Sequence, residues 1–135
     1  MATTGAAMTV PRILVVEDSV MLRRLACEML RLDGFDTAEA GDGNEALARL
    51  SAEPFDMVLS DRVMAPMDGL DLLSGMRADT RLAAIPFVMM SGEQTPEAVS
   101  RALGVGVDGY LAKPFGRAQL SRQVTAALSR KGQAA

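Results

Sequence analysis

At 135 residues, with 49% hydrophobic and 23% charged side chains, the chain has the size of one domain and the composition of a soluble globular protein with a single core. Its formal net charge of -3 removes the basic field that nonspecific nucleic-acid binding requires, so nucleic acid is not expected as a partner. There is no histidine, which excludes histidine-based general-base triads and histidine metal sites and leaves any chemistry to carboxylates, hydroxyls and lysine.

The opening MATTGAAMTVPR lacks the charged-then-apolar order of a signal peptide, and residues 1–10 read as a flexible tail. RILVV (12–16) is a short apolar run of the kind that suits a strand buried on both faces. VMLRRLACEMLRL follows with helical spacing. Leu22, Leu25, Ala26 and Met29 share one face, Arg23, Arg24, Glu28 and Arg31 fall largely elsewhere, and Cys27 sits off the apolar stripe. That cysteine is the only one in the chain, so no internal disulfide is available, which fits a cytoplasmic setting. A weaker strand, DTAEA (36–40), and a helix over 43–51 come next, then FDMVLS (55–60), a helix over 69–78, and IPFVMM (85–90). In TPEAVSRALG, Thr95 is the N-cap, Pro96 the first helical residue and Gly104 the stop. DGYLA (108–112) is the fifth strand, 116–129 the fifth helix and 131–135 a C-terminal tail. No run approaches the roughly 18 apolar residues of a membrane span. Strand then helix, five times over, predicts an α/β three-layer sandwich with a five-stranded parallel sheet, occupying residues 11–130.

The first strand runs into Glu17 and Asp18, the third ends at Asp61, the fourth at Ser91 and the fifth at Lys113. Open parallel sheets bind ligands at the C-terminal ends of their strands, so these residues are expected to converge in one crevice. Each has an ordinary reading by itself. Asp18 or Ser19 caps the next helix, Asp61 accepts hydrogen bonds from its own loop, Ser91 before Gly92 is a turn residue, and Lys113 is a charge reaching out from a strand end. Their joint placement favours a site. Of 14 basic residues only Lys113 and Lys131 are lysines, so a compact ammonium stands at that strand end. Three carboxylates packed together repel, which should raise at least one carboxyl pKa and call for a hard cation. Mg²⁺ fits, since it takes one or two carboxylates plus phosphate oxygens. A phosphoryl group there would draw charge from Lys113 and a hydroxyl from Ser91, and a carboxylate nucleophile, with Asp61 the candidate, would form an aspartyl-phosphate.

ILVVEDS, the Asp61 loop with MDG behind it, the MSG after the fourth strand and GYLAKPF together resemble the receiver domain of two-component response regulators over roughly residues 11–130. The resemblance implies a flavodoxin-like (CheY-like) sheet of order 2-1-3-4-5. It implies that Asp61 is the phosphoacceptor, taking phosphate from a phosphohistidine on a separate histidine kinase or phosphotransfer protein. Asp18, Asp61 and the Val63 backbone carbonyl would ligate Mg²⁺, with Glu17 acting through water, and Lys113 and Ser91 would contact the phosphoryl oxygens. Ser91 would move toward the phosphate and Tyr110 would turn inward behind it, Gly92 leaving room, with Lys113-Pro114 a cis peptide. Val63 and Glu93 would tune the lifetime of the adduct. Val99, Leu103, Tyr110 and Gln123 would form the output face. One departure is visible: Ala65 follows Met64 where receivers commonly have proline, and the proline is Pro66.

The chain stops soon after the fifth helix, so output is expected through noncovalent contact by a monomer. The nearest likeness is to the chemotaxis type, which binds a flagellar motor switch component; a phosphorelay intermediate or phosphate sink would share these features. No enzymatic activity beyond its own phosphorylation and dephosphorylation is expected. A haloacid dehalogenase-like phosphatase would need a second aspartate where Val63 stands, as its proton carrier. An adaptor that never binds phosphate would not need the full set of site residues.

Overall fold

A computed structural model describes residues 9–134, with side chains through residue 130; residues 1–8 of the predicted N-terminal tail, and residue 135, lie outside the described residues. Five strands, β1 (Arg12–Val16), β2 (Asp36–Ala40), β3 (Met57–Asp61), β4 (Phe87–Ser91) and β5 (Gly109–Ala112), alternate with five helices. These are α1 (Val20–Leu32), α2 (Gly43–Ala52), α3 (Gly69–Ala78), α4 (Pro96–Val105) and α5 (Arg117–Ala134). All strand pairs are parallel and their order is β2-β1-β3-β4-β5, the order anticipated from sequence.

β3 and β4 are buried at every position, and β1 at every position but Arg12. Alternation along the strands sorts them between two layers. Leu14, Val16, Val58, Phe87 and Met89 pack with Ala46 and Leu50 of α2, Leu72, Leu73 and Met76 of α3, and Ala102 of α4. Ile13, Val15, Met57, Leu59, Val88, Met90 and Leu111 pack on the other face against α1 and α5.

Three expectations need correction. The buried face of α1 is Ala26, Cys27 and Leu30, while Leu22 and Leu25 are 44% and 51% exposed. The helix is thus rotated from the predicted stripe: it turns Ala26, Cys27 and Leu30 to the sheet, where Cys27 fills core space, and leaves Leu22 and Leu25 at the rim. Helix α4 ends one residue after Gly104, because Gly106 (φ 110°) takes the left-handed position and donates to the Ala102 and Leu103 carbonyls. Helix α5 runs on to Ala134, through the stretch read as a C-terminal tail.

Arg77, in the last turn of α3, was not singled out in the sequence. Its guanidinium donates to the carbonyls of Ala83, Ile85 and Gly106 and pairs with Asp108 at 2.8 Å. Asp108 in turn accepts from the Phe87 N–H, so one side chain ties α3 to the entries of β4 and β5. Arg77→Met should cost about 2 kcal/mol, since several carbonyls lose a charged donor in a part-buried setting. A urea midpoint equal to wild type at unchanged slope would show that water replaces the guanidinium without loss.

Candidate functional site

The strand alternation that builds the core also builds the site. Ile13 and Val15, Met57 and Leu59, and Leu111 all face the α1–α5 layer. Continuing the same parity by one step brings Glu17, Asp61 and Lys113 to that side of the sheet edge. Lys113 Nζ lies 3.0 Å from Glu17 Oε1 and 3.0 Å from Asp61 Oδ1. Glu17 and Asp61 are only 2% and 7% exposed, whereas Asp18 faces solvent. Glu17, Asp18 and Asp61 each offer a carboxylate oxygen within 4.8 Å of the others, so this cluster could hold a metal ion. The donor set is all oxygen, and a single ammonium pairs with two of the three carboxylates, which is the chemistry of a hard divalent cation site.

Local structure explains each position. Glu17 is held by the Ser19 N–H on Oε2 and by Arg23, which donates to its carbonyl at 2.9 Å and pairs with Glu39 at 2.7 Å. Ser19, not Asp18, caps α1, accepting from Leu22 N–H, which leaves the Asp18 carboxylate free of capping duty. The Asp61 carbonyl accepts from Ser60 Oγ at 2.9 Å. Asp68 caps α3, and the Gly69 N–H donates to the Arg62 carbonyl at 2.8 Å. A Cβ on Gly69 would sit 3.0 Å from Arg62 Cα and closer still to the Asp61 carbonyl oxygen. The helix start therefore packs directly on the backbone of Asp61, which gives the Asp68-Gly69 spacing a physical meaning. Lys113-Pro114 is cis, and so is Ala65-Pro66 in the loop that departs from the usual sequence.

Burial pushes the Glu17 carboxyl above the ordinary glutamate value, against the lowering pull of Lys113 and the Ser19 N–H, and the Asp61 charge adds to the rise. Burial would lower the Lys113 ammonium, but its hydrogen bonds to Glu17 and Asp61, with their charges, outweigh that and leave it raised. The expected raised carboxyl is thus Glu17, with burial as its first cause and like charge a lesser one.

A second polar group gathers around Glu93. Ser91, 2% exposed, accepts from the Glu93 N–H at 3.0 Å, and the Tyr110 hydroxyl donates to the Glu93 carbonyl. Tyr110 also packs against the core on the α2–α4 face. Arg62 pairs with the Glu93 carboxylate at 3.0 Å.

Residues 13–125 match the model of the response regulator receiver domain. Chemotaxis protein CheY-3 of Vibrio cholerae is 40% identical over 114 residues, covering 84% of this chain and 88% of that protein. Chemotaxis protein CheY of Pseudomonas aeruginosa is 42% identical over 105 residues, covering 77% and 85%. Among solved structures, that of Vibrio cholerae CheY4 crystallized at low pH superposes with a TM-score of 0.84 at 29% identity, covering 88% of this chain and 99% of that one. The chain belongs to the response regulator receiver domain family.

In this receiver the residues anticipated for other roles are placed as follows. Val63 lies in the loop between β3 and α3 with its side chain 67% exposed. At Gly92 a Cβ would meet nothing within 4 Å, so glycine is not demanded there by close packing. Leu103 is 60% exposed on α4, while Val99, Tyr110 and Gln123 are half-buried, and Gln123 lies over the backbone of Gly109. A larger run of exposed apolar side chains stands on α1, at Val20, Met21, Leu22 and Leu25. Beside it a groove of about 300 Å³, lined by Leu22, Leu25, Met29, Met90 and Phe115, reaches Glu17 and Lys113. Sequence reasoning missed this rim because it assigned Leu22 and Leu25 to the core. Among the described residues no helix is long and apolar enough to cross a membrane.

Proposed function

We propose that this receiver takes a phosphoryl group onto Asp61 from the phosphohistidine of a separate histidine kinase or phosphotransfer protein. Its output is phosphorylation-dependent binding to a downstream protein, in the cytoplasm and of the chemotaxis type, as for a flagellar motor switch component. The observation that carries the reading is the lysine bridge: a buried Asp61 carboxylate held 3.0 Å from Lys113 inside an acidic cluster. An Asp61 carboxylate oxygen attacks phosphorus, the P–N bond to the donor imidazole breaks, and the imidazole keeps the electron pair. Mg²⁺, when bound by Asp18, Asp61 and the Val63 carbonyl with Glu17 nearby, neutralises phosphoryl oxygens. Lys113 already stands where it would contact a phosphoryl oxygen on Asp61 and offset its charge. These 135 residues contain no histidine, so the donor phosphohistidine lies outside them. The chain acts on no other substrate in this reading, since Val63 offers no acid or base at the position where a phosphatase of the haloacid dehalogenase type needs one.

Incubation with acetyl phosphate and Mg²⁺ should give a labile adduct of one phosphoryl group at Asp61, seen by mass spectrometry. Asp61→Asn should abolish it, and full labelling of that variant at another carboxylate would overturn the assignment. Steady release of phosphate from a small phosphomonoester would make the protein a phosphatase instead. Phosphorylation that changes affinity for no protein partner would favour a relay intermediate or phosphate sink.

A further inference from the structure

Two loops flank the crevice, one after β3 and one after β4, and an ion pair joins them: Arg62 Nη1 is 3.0 Å from Glu93 Oε1. Arg62 directly follows Asp61, and its N–H donates to the Met90 carbonyl at 2.9 Å, so its backbone is fixed to the sheet edge. Its side chain is 16% exposed against 50% for Glu93, and its buried Nε makes no hydrogen bond. The arginine is therefore the buried partner and the glutamate the exposed one. Glu93 is held at three atoms by three elements: its carboxylate by Arg62, its N–H by the Ser91 hydroxyl, and its carbonyl by the Tyr110 hydroxyl. Whatever fixes Glu93 fixes the two hydroxyl side chains with it.

We propose that the Arg62–Glu93 ion pair is a strap that sets the position of the loop after β4, so that the Glu93 backbone engages Ser91 and Tyr110 together. Arg62 is thus a positioning residue of the switch, one step along the chain from Asp61. Ser91 and the Glu93 N–H separate if the hydroxyl turns to a phosphoryl oxygen, a step that rests on the function proposed above. The strap and the Tyr110 hydroxyl would then be the remaining side-chain holds on Glu93, and the strap would keep the carbonyl in reach of Tyr110.

Tyr110 is the only tyrosine and the chain has no tryptophan, so intrinsic emission reports this one side chain. The test uses unphosphorylated protein and measures acrylamide quenching of that emission in Arg62→Met, Glu93→Gln and the double variant. Each single variant should raise the quenching constant about two- to fivefold, the shift a part-exposed ion pair can produce, with no further rise in the double variant. Arg62→Lys should recover part of the wild-type value. Glu93 is half exposed, so Glu93→Gln keeps the test open should Arg62→Met unfold. Unchanged quenching in both single variants, or additive effects in the double, would overturn the strap. Labelling with acetyl phosphate and Mg²⁺ separates the two proposals. A wild type that takes no label while the strap variants still expose Tyr110 removes the phosphoacceptor reading and leaves the strap standing; label in every variant with unaltered Tyr110 does the reverse.

Discussion

Gly69→Ala should destabilise the receiver by about 3 kcal/mol and slow acetyl phosphate labelling of Asp61, even though alanine is the better helix former. Propensity alone would make the change favourable by up to about 1 kcal/mol at a helical position. Sterics oppose it. The new Cβ meets the backbone of Asp61 and Arg62, with Arg62 Cα only 3.0 Å away, and backbone cannot rotate aside as a side chain would. Overpacking of this kind typically costs about 1–3 kcal/mol, and the upper end applies because either α3 or the end of β3 must move. Movement of β3 displaces Asp61 from Lys113, so stability and labelling should fall together. Gly75, in the same helix, is the control: a Cβ there meets nothing within 4 Å. Gly75→Ala should stabilise by roughly 0.5–1 kcal/mol and leave labelling unchanged. Urea midpoints at constant slope give both values. A Gly69→Ala midpoint at or above wild type would show that the start of α3 adjusts freely and does not hold Asp61.

The sheet order and the convergence of Glu17, Asp61 and Lys113 were legible because both follow from simple periodicities. Continuous apolar runs mark strands buried on two faces, and strand ends in a parallel sheet lie on one edge. What the sequence concealed depends on which way a side chain faces when several faces are apolar. Leu22 and Leu25 are as hydrophobic as any core residue, yet the smaller Ala26 and Cys27 let α1 approach the sheet and take the buried positions. Gly104 and Gly106 are equally good stop signals, and only the backbone angle distinguishes them. Arginine carries no spacing rule that separates a solvent-facing charge from a tie such as Arg77 or a strap such as Arg62. Glu93, which the resemblance marks for tuning the lifetime of the adduct, has its carboxylate paired with Arg62, a partner 31 residues away in the chain.

In metal-free buffer at pH 7, Lys113→Met should lower stability by about 3 kcal/mol, and the deficit should shrink on acidification and on adding Mg²⁺. Removing one partner of a buried pair costs about 3–5 kcal/mol because the other charge is left uncompensated. The lower end applies here, since the Lys113 side chain is 23% exposed. Glu17 is the charge left behind, its side chain 3% exposed and its carboxyl already raised by burial in the presence of the lysine. A carboxyl whose folded-state pKa is raised contributes stability that is fully present below its unfolded value and is lost as pH rises through the folded value. For Glu17 that loss begins above about pH 4.5, and without Lys113 the folded value climbs further, so the variant loses more over the same rise. The gap between variant and wild type therefore opens as pH rises above about 4.5. Lys113 is itself raised, so what it contributes persists through neutral pH and is lost only in alkali. Mg²⁺ offers the vacated carboxylates a new counter-charge; wild type gains from the same linkage, so the deficit shrinks by the difference in affinity, about 1.4 kcal/mol if losing the competing ammonium tightens Mg²⁺ binding tenfold. Chemical denaturation at pH 4.5 and pH 7, each with EDTA or with Mg²⁺, provides the four stabilities required. A deficit equal at both pH values and indifferent to Mg²⁺ would mean that Lys113 stabilises through the packing of its stem and not by holding Glu17 and Asp61 together.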